Sequence, residues 1–374
     1  MRNQTEPVLS SYLHAKGRKL GLPIAGNFEL TARCNFNCPM CYVHLSQDEV
    51  NKRGKELSAK QWIELAQQAK NQGMIFLLLT GGEPFVRKDF FEIYEACKEM
   101  GLVVSINSNA SLLKGEILER LLENPPFRMN ISLYGASADT YRRMCGLPVF
   151  DEVVESITKL KQAGVEVRLN LTMTPYNQQD LEQIYALSVK LDVPVRAANY
   201  MYPAVRVDEH VDADQSRLSA KESVECAVLW DKLRFTEEEF QKRALAYRQM
   251  TLNDVKECPA EWDEGMTCRA GTTSFWVCWD GKMRPCGLMS APEADLNKMN
   301  FQQAWEVIKQ KTKEIRMPSQ CTTCAKRNVC GVCAAICQAE TGSTEKVPVY
   351  VCAQTDEMIR RMSCEVKEEV HEAE

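Results

Sequence analysis

The chain has 374 residues, 45% of them hydrophobic and 26% charged, with a net charge of −5. That length allows a large core and two domains, and interspersed charges with a negative balance exclude a nucleic-acid-binding face. The N-terminus lacks an apolar signal core and no apolar run reaches membrane length, so a cytoplasmic protein without membrane contact is expected. Seventeen cysteines are present beside only four histidines. The cytoplasm keeps thiols reduced, so this composition points to thiolate-bound metal rather than disulfides.

Residues 1–27 read as an N-terminal arm. Phe28 to Arg33 alternate apolar and polar residues, a strand pattern that runs into Cys34-Asn35-Phe36-Asn37-Cys38-Pro39-Met40-Cys41-Tyr42. Three thiolates cannot close a tetrahedral zinc site without a distant fourth ligand. They can hold three irons of a 4Fe–4S cube and leave the fourth open. Ser58-Ala59-Lys60-Gln61 is a capping box opening a helix with Trp62, Leu65, Ala66 and Ala69 on one face. A buried strand at 75–79 ends in Thr80-Gly81-Gly82-Glu83-Pro84. Helices near 88–100, 114–123, 151–163 (capped by Asp151) and 180–191 then alternate with strands near 102–109, 127–135, 165–173 and 193–201.

Six strand–helix units imply a parallel sheet with helices outside. One face of the strands is polar: Glu29, Thr31 and Arg33 on the first, Asn130, Ser132 and Tyr134 on the fourth, Arg168, Asn170 and Thr172 on the fifth. A sheet covered on both faces would be apolar throughout. A polar-lined lumen suits a partial barrel around a polar cofactor, with its site at the C-terminal ends of the strands.

A C-x3-C-x2-C-aromatic loop after the first strand and a Gly-Gly-Glu-Pro turn after the second resemble the radical S-adenosylmethionine enzymes. The resemblance implies an α/β fold, a partial (β/α)6 TIM-like barrel over residues 28–205, in which Cys34, Cys38 and Cys41 anchor a radical-generating 4Fe–4S cluster. In that family the open iron chelates S-adenosylmethionine, whose reductive cleavage yields a 5′-deoxyadenosyl radical. Tyr42 matches the aromatic near the adenine. Gly81, Gly82, Glu83 and Pro84 match the turn whose backbone receives the methionyl amino group, Gly82 allowing close approach to the cofactor. Ser132 matches a residue reaching the ribose or carboxylate, and Asn170 lies where the fifth strand meets the cofactor. Many relatives carry an arginine about thirteen residues after that serine. Here the place is Cys145, with Arg142 and Arg143 within three residues.

Residues 206–257 form a polar, helical bridge, with a helix start at Ser219. Eleven of the seventeen cysteines lie from 258 onward. Ser274 to Cys286 read as a hairpin with an Asp280-Gly281 turn. Cys268 and Cys286 flank it, followed by Cys321-x2-Cys324-x5-Cys330-x2-Cys333 and Cys352. This C-terminal cysteine-rich iron–sulfur region, 258–374, resembles the SPASM extension, which holds two auxiliary 4Fe–4S clusters. The resemblance implies Cys321, Cys324, Cys330 and Cys352 on the outer cluster, and Cys268, Cys286 and Cys333 on the inner. Cys258 or Cys337 is the candidate fourth ligand, or the iron stays open. A zinc ribbon on Cys321, Cys324, Cys330 and Cys333 is the alternative, and it leaves Cys268, Cys286 and Cys352 unexplained. Cys97, Cys145, Cys226 and Cys278 read as packing residues.

The implied activity is hydrogen abstraction from a C–H bond, on a ribosomally made peptide. Only 27 residues precede the first strand, too few for a leader-binding module, so a separate leader-binding protein or the barrel itself is expected to grip the peptide. Flavodoxin or ferredoxin is the expected electron donor. Sulfatase-maturating relatives carry an aspartate after the cysteine matching Cys286, where this chain has Gly287. A small-molecule or porphyrin-modifying enzyme and an iron–sulfur electron carrier complete the alternatives.

Overall fold

The structure, a computed structural model, describes residues 8–203, 216–252 and 265–367. Nine strands form one open sheet: β1 (Ala25–Glu29), β2 (Phe76–Thr80), β3 (Val103–Ser108), β4 (Arg128–Ser132), β5 (Val167–Thr172), β6 (Val195–Ala198), β7 (Ser274–Val277), β8 (Lys282–Arg284) and β9 (Ala294–Asp295). Their order is β6-β5-β4-β3-β2-β1-β7-β8-β9, parallel from β6 to β7 and antiparallel beyond. The six strand–helix units therefore form the expected partial barrel.

Alternation along each strand builds the two faces. On β5, Val167, Leu169 and Leu171 are buried toward the helices, while Arg168, Asn170 and Thr172 face the lumen. The lumen residues form a hydrogen-bonded ladder: Asn130 Nδ2 donates to Asn107 Oδ1 at 2.9 Å, and Asn107 Nδ2 to Thr80 Oγ1 at 3.4 Å. Outside, the capping-box helix Ala59–Asn71 buries Trp62, Leu65, Ala66 and Ala69 as its spacing dictates, with Trp62 4.9 Å from Phe28 between ring centroids.

Three local expectations need correction. The first strand lies at 25–29, not 28–33: the alternation continues to Arg33, but from Thr31 on the backbone has left the strand. Asp151 does not cap its helix, which begins at Phe150 after Val149, with no side-chain cap. It stands in the first turn, where its charge suits the helix dipole. The arm contains a helix, Val8–Leu20, that buries His14 and Gly17 rather than an apolar stripe. His14 Nδ1 lies 2.8 Å from Thr273 Oγ1, and a Cβ on Gly17 would fall 2.4 Å from Ile24. A further helix, Ala138–Cys145, is capped by Ser137 Oγ on the Thr140 N–H.

The change in composition near 258 does not divide the sheet. β7 is laid parallel against β1, in the register Ala25↔Ser274 to Phe28↔Val277. The Asp280-Gly281 turn forms, Gly281 taking φ +83°, and Trp279 packs with Ala32, Leu45 and Val50 of the cysteine-loop region. The helix Phe301–Glu314 closes this side. Trp305 and Phe301 flank Phe275 at 6.0 and 5.0 Å, and Trp305 Nε1 donates to Gly21 O at 2.9 Å. The bridge helices Ala220–Arg234 and Glu237–Leu252 form their own small core, where Val224, Val228, Phe240 and Ala244 meet Met362 of the C-terminal helix. No helix among the described residues is long and apolar enough to cross a membrane.

Because Trp305 is part of the barrel's core, Trp305→Ala should lower the stability of the whole protein by about 3–5 kcal/mol. Urea unfolding followed by far-ultraviolet circular dichroism should show one transition at lower urea. A barrel transition that stays in place would mean that the hairpin and its helix are a detached unit.

Candidate active site

The cysteine loop leaves the C-terminal end of β1 and the glycine turn that of β2, and their backbones are joined. Gly82 N donates to Thr31 O at 2.8 Å and Glu83 N to Arg33 O at 2.9 Å. A Cβ on Gly82 would lie 2.3 Å from Arg33 O, and one on Gly81, at φ +154°, 2.5 Å from Thr31 O. These glycines are therefore required by the chain's own backbone, independently of any ligand. Beneath them, Glu56 holds Arg33 through two bonds, Nε–Oε1 at 3.0 Å and Nη2–Oε2 at 2.8 Å, and also accepts from Thr31 Oγ1. Buried Arg87 donates to Leu30 O at 2.9 Å and Leu57 O at 3.0 Å.

Glu83 is fully buried. Its carboxyl accepts from Asn109 N at 2.7 Å, Ser108 Oγ at 3.0 Å and Phe85 N at 3.2 Å. Asn109 extends this network to the cysteines: its Nδ2 donates to Asn35 Oδ1 at 3.0 Å and lies 3.7 Å from Cys34 Sγ. Burial lifts the Glu83 carboxyl from its ordinary 4.5 to about 7, against the pull of those three donors.

One cavity of about 340 Å³ joins these elements. Cys34, Cys38, Cys41, Tyr42, Gly81, Gly82, Ser132 and Asn170 line it, together with Asn107, Asn109 and Tyr134. Tyr200, Tyr202 and Leu288 complete its wall. Glu83 and Pro84 are not in the lining, and serve as the turn's buried support. Nor are Arg142 and Arg143, which both pair with Asp139 on the helix 138–145. Cys145 is buried and its carbonyl accepts from Asn37 N at 3.2 Å, bracing the cysteine loop. Sequence reasoning missed Tyr200 and Tyr202, which follow the last barrel strand without periodicity. They are signalled only by the aromatic pair itself.

The cysteines suit a cluster. Phe36 N donates to Cys34 Sγ at 3.3 Å and His44 N to Cys41 Sγ at 3.2 Å. Hydrogen bonds of this kind tune cluster thiolates. Burial, then Glu83 and Cys41, push the Cys34 thiol up to about 12, so the sulfurs need a cationic partner to ionise together. In the C-terminal region Cys321 feels Cys352, Cys330 and Cys324, whereas Cys333 feels Cys268, and Tyr202 lies beside Cys333 and Cys286. Cys337, wholly buried, stands between the groups, beside Cys321, Cys333 and Cys330. Cys258 lies outside the described residues. Among the described residues no three Cys, His, Asp or Glu side chains converge closely enough for a single metal ion. Cys97, Cys145, Cys226 and Cys278 are buried packing residues, as expected.

Two predictions follow from the joined loops. Gly82→Val should displace the Arg33 carbonyl and the cysteine loop, so that about four irons per chain are lost together with cofactor binding. Full iron content with weaker binding alone would show that the turn acts only on the cofactor. For Glu83, a raised folded pKa means that the folded state holds the proton more tightly. Its contribution is fullest below pH 4.5 and is lost as pH rises through about 7, on the order of 3 kcal/mol. The urea midpoint of wild type relative to Glu83→Gln should fall between pH 5 and 7.5. A flat difference would refute the burial argument.

Comparison with known proteins agrees with this geometry. Residues 28–188 match the radical SAM superfamily. The chain is 27% identical over 333 residues to an AdoMet-dependent heme synthase of Methanosarcina barkeri, covering 84% of this chain and 92% of the relative. Among solved structures, native anSMEcpe with bound AdoMet superposes with a TM-score of 0.68 at 17% identity, covering 92% of this chain and 98% of the other. Streptococcus suis SuiB bound to its precursor peptide SuiA gives a TM-score of 0.64 at 16% identity, with 94% and 83% covered. Residues 28–188 of this chain are a radical S-adenosylmethionine domain.

Proposed function

We propose that this chain is a three-cluster radical enzyme that abstracts hydrogen from a C–H bond of a ribosomally synthesised peptide. The observation that carries this reading is the shared cavity: Cys34, Cys38, Cys41, the glycine turn and the polar lumen meet Leu288, two residues beyond Cys286, across one space. A 4Fe–4S cluster on the first three cysteines would supply the electron that cleaves S-adenosylmethionine to methionine and a 5′-deoxyadenosyl radical. Tyr42, Gly81, Gly82, Ser132 and Asn170 would hold that cofactor at the C-terminal ends of the strands. Cys268, Cys286 and Cys333, with Cys258 or Cys337, would hold an inner auxiliary cluster beside the cavity. Cys321, Cys324, Cys330 and Cys352 would hold an outer one. Leu288 N donates to Cys286 Sγ at 3.5 Å and would tune such an inner cluster. Flavodoxin or ferredoxin would supply electrons, and a separate protein or the barrel itself would grip the leader.

A peptide is favoured by likeness of fold to enzymes whose structures hold peptides. A porphyrin-type substrate is the second reading, favoured by near full-length similarity to AdoMet-dependent heme synthases. Sulfatase maturation is disfavoured by packing: a Cβ at Gly287 would lie 2.7 Å from the Trp276 ring, whose Nε1 is held by Glu29 at 2.9 Å. A pure electron carrier would have no use for the cavity.

Replacing Cys34, Cys38 and Cys41 by alanine should leave about eight of twelve irons per chain and abolish 5′-deoxyadenosine formation. Wild-type cleavage by this variant would overturn the proposal. Co-expression with short cysteine-bearing peptides encoded beside the gene, read by mass spectrometry, separates the two substrate readings. Loss of hydrogen mass from a peptide supports the first. Conversion of a porphyrin with unchanged peptide masses supports the second.

A further inference from the structure

Tyr134 stands two residues beyond the end of β4 and lines the cavity beside the cysteine loop. Its backbone is fixed at both ends. The N–H donates to Tyr141 Oη at 3.4 Å, and the carbonyl accepts from Asn177 Nδ2 at 3.1 Å. Asn177 is itself fully buried and donates to Thr172 O at 2.9 Å. The ring packs against Phe36, at 6.3 Å between centroids, and against Tyr141, at 6.2 Å.

One short helix, Ala138–Cys145, holds this residue and the cysteine loop together. Tyr141 of that helix accepts from Tyr134, and the carbonyl of its last residue, Cys145, accepts from Asn37 N at 3.2 Å, one residue before Cys38. The Tyr134 hydroxyl hydrogen-bonds to Cys38 Sγ on one side and to Ser132 Oγ on the other. Cys34 and Cys41 accept main-chain N–H groups, from Phe36 and His44. At Cys38 the donor is a side chain. Packing against two aromatic rings would be met equally by phenylalanine, and a hydroxyl enclosed there costs free energy unless it is bonded. The series Ser132, Tyr134, Cys38 therefore joins the cofactor-facing rim to one sulfur of the loop.

We propose that Tyr134 is a tuning residue, whose hydroxyl donates to Cys38 Sγ and raises the reduction potential of the radical-generating cluster, with Ser132 setting the strength of that bond. This deepens the proposed function and rests on its placing of a 4Fe–4S cluster on Cys34, Cys38 and Cys41. Reduction adds negative charge, so a donor at a ligand sulfur stabilises the reduced state more than the oxidised one. Ser132 donating to the phenol oxygen makes the phenol proton a better donor, since bonds in a chain polarise one another. A cofactor group that takes up the Ser132 hydroxyl would weaken the donation to Cys38. Cofactor occupancy and cluster potential would then be coupled through one phenol.

The test is a redox titration of the reconstituted full chain without S-adenosylmethionine, followed by electron paramagnetic resonance. The signal to follow is the one absent from the variant with alanine at Cys34, Cys38 and Cys41. Tyr134→Phe keeps the ring and should keep the iron content. At a fixed potential the ratio of reduced to oxidised cluster should fall about tenfold, roughly 59 mV for one electron. Signals that the alanine variant retains should not move. Ser132→Ala should shift the ratio in the same direction by less, and should add nothing in the Tyr134→Phe background. A purely packing role would not produce that non-additivity, and the Ser132 variant still decides the matter should Tyr134→Phe fail to fold. An unchanged potential in either single variant, or an equal effect of Ser132→Ala with and without the phenol, would overturn the proposal. A wild-type chain with no signal that depends on the three cysteines would instead remove the proposed radical cluster, and the tuning role with it.

Discussion

Everything in the site depends on two backbone hydrogen bonds, from Gly82 N to Thr31 O and from Glu83 N to Arg33 O. They fasten the turn after β2 to the chain just before Cys34, so the cysteine loop and the glycine turn form one rigid rim. No side chain fits at the crossing, because a Cβ at either glycine would fall inside the opposing carbonyl. Below the crossing, Glu56 draws Arg33 and Thr31 inward, with Arg87 bonded to Leu30 O and Leu57 O. On the far side Glu83, Asn109 and Asn35 continue the bonding as far as Cys34. A mobile loop could bind iron, but it could not hold a cofactor at a fixed distance from a substrate bond.

How far this was legible varied with how local the determining contacts are. The helix after Ser58 and the strand 167–172 could be read because each carries its own period and its own cap or alternation. The Cys34–Cys41 spacing and the Gly81–Pro84 turn could be read because adjacent residues share one job. Glu83 and Pro84 were placed in the site by their neighbours, yet they begin a short 3-10 helix that is buried outside the cavity lining. The first strand was set three residues late because its alternation outlasts its ladder. The helix 8–20 gave no signal, since the residues it buries are a histidine and a glycine. That Ser274–Val277 would pair with Ala25–Phe28 could not be foreseen, for the contact spans about 250 residues of chain.

The C-terminal cysteines show a similar divide. Cys321 lies within the electrostatic influence of Cys352, Cys330 and Cys324, Cys352 within that of Cys330 and Cys324, and Cys333 within that of Cys268. The position of Cys337, buried between the groups, depends on the helix Ala334–Thr341 packing beneath them and has no counterpart in spacing. Tyr200, which accompanies Tyr202 into the cavity wall, is tied to that same helix through Glu340, which also holds Arg217 at 2.7 Å.

The pairing of β7 with β1 also bears on how the chain is made. One edge of β1 can be covered by β2 as soon as residue 80 is available, but the other waits until Ser274–Val277 has been synthesised. Until then a half-built sheet presents a row of unsatisfied N–H and C=O groups, with the apolar side chain of Phe28 beside them. Such an edge templates pairing between chains, and slow long-range closure prolongs its exposure. Shortening production to the barrel alone would make that transient hazard permanent, so the strand Ser274–Val277 is the barrel's edge cover.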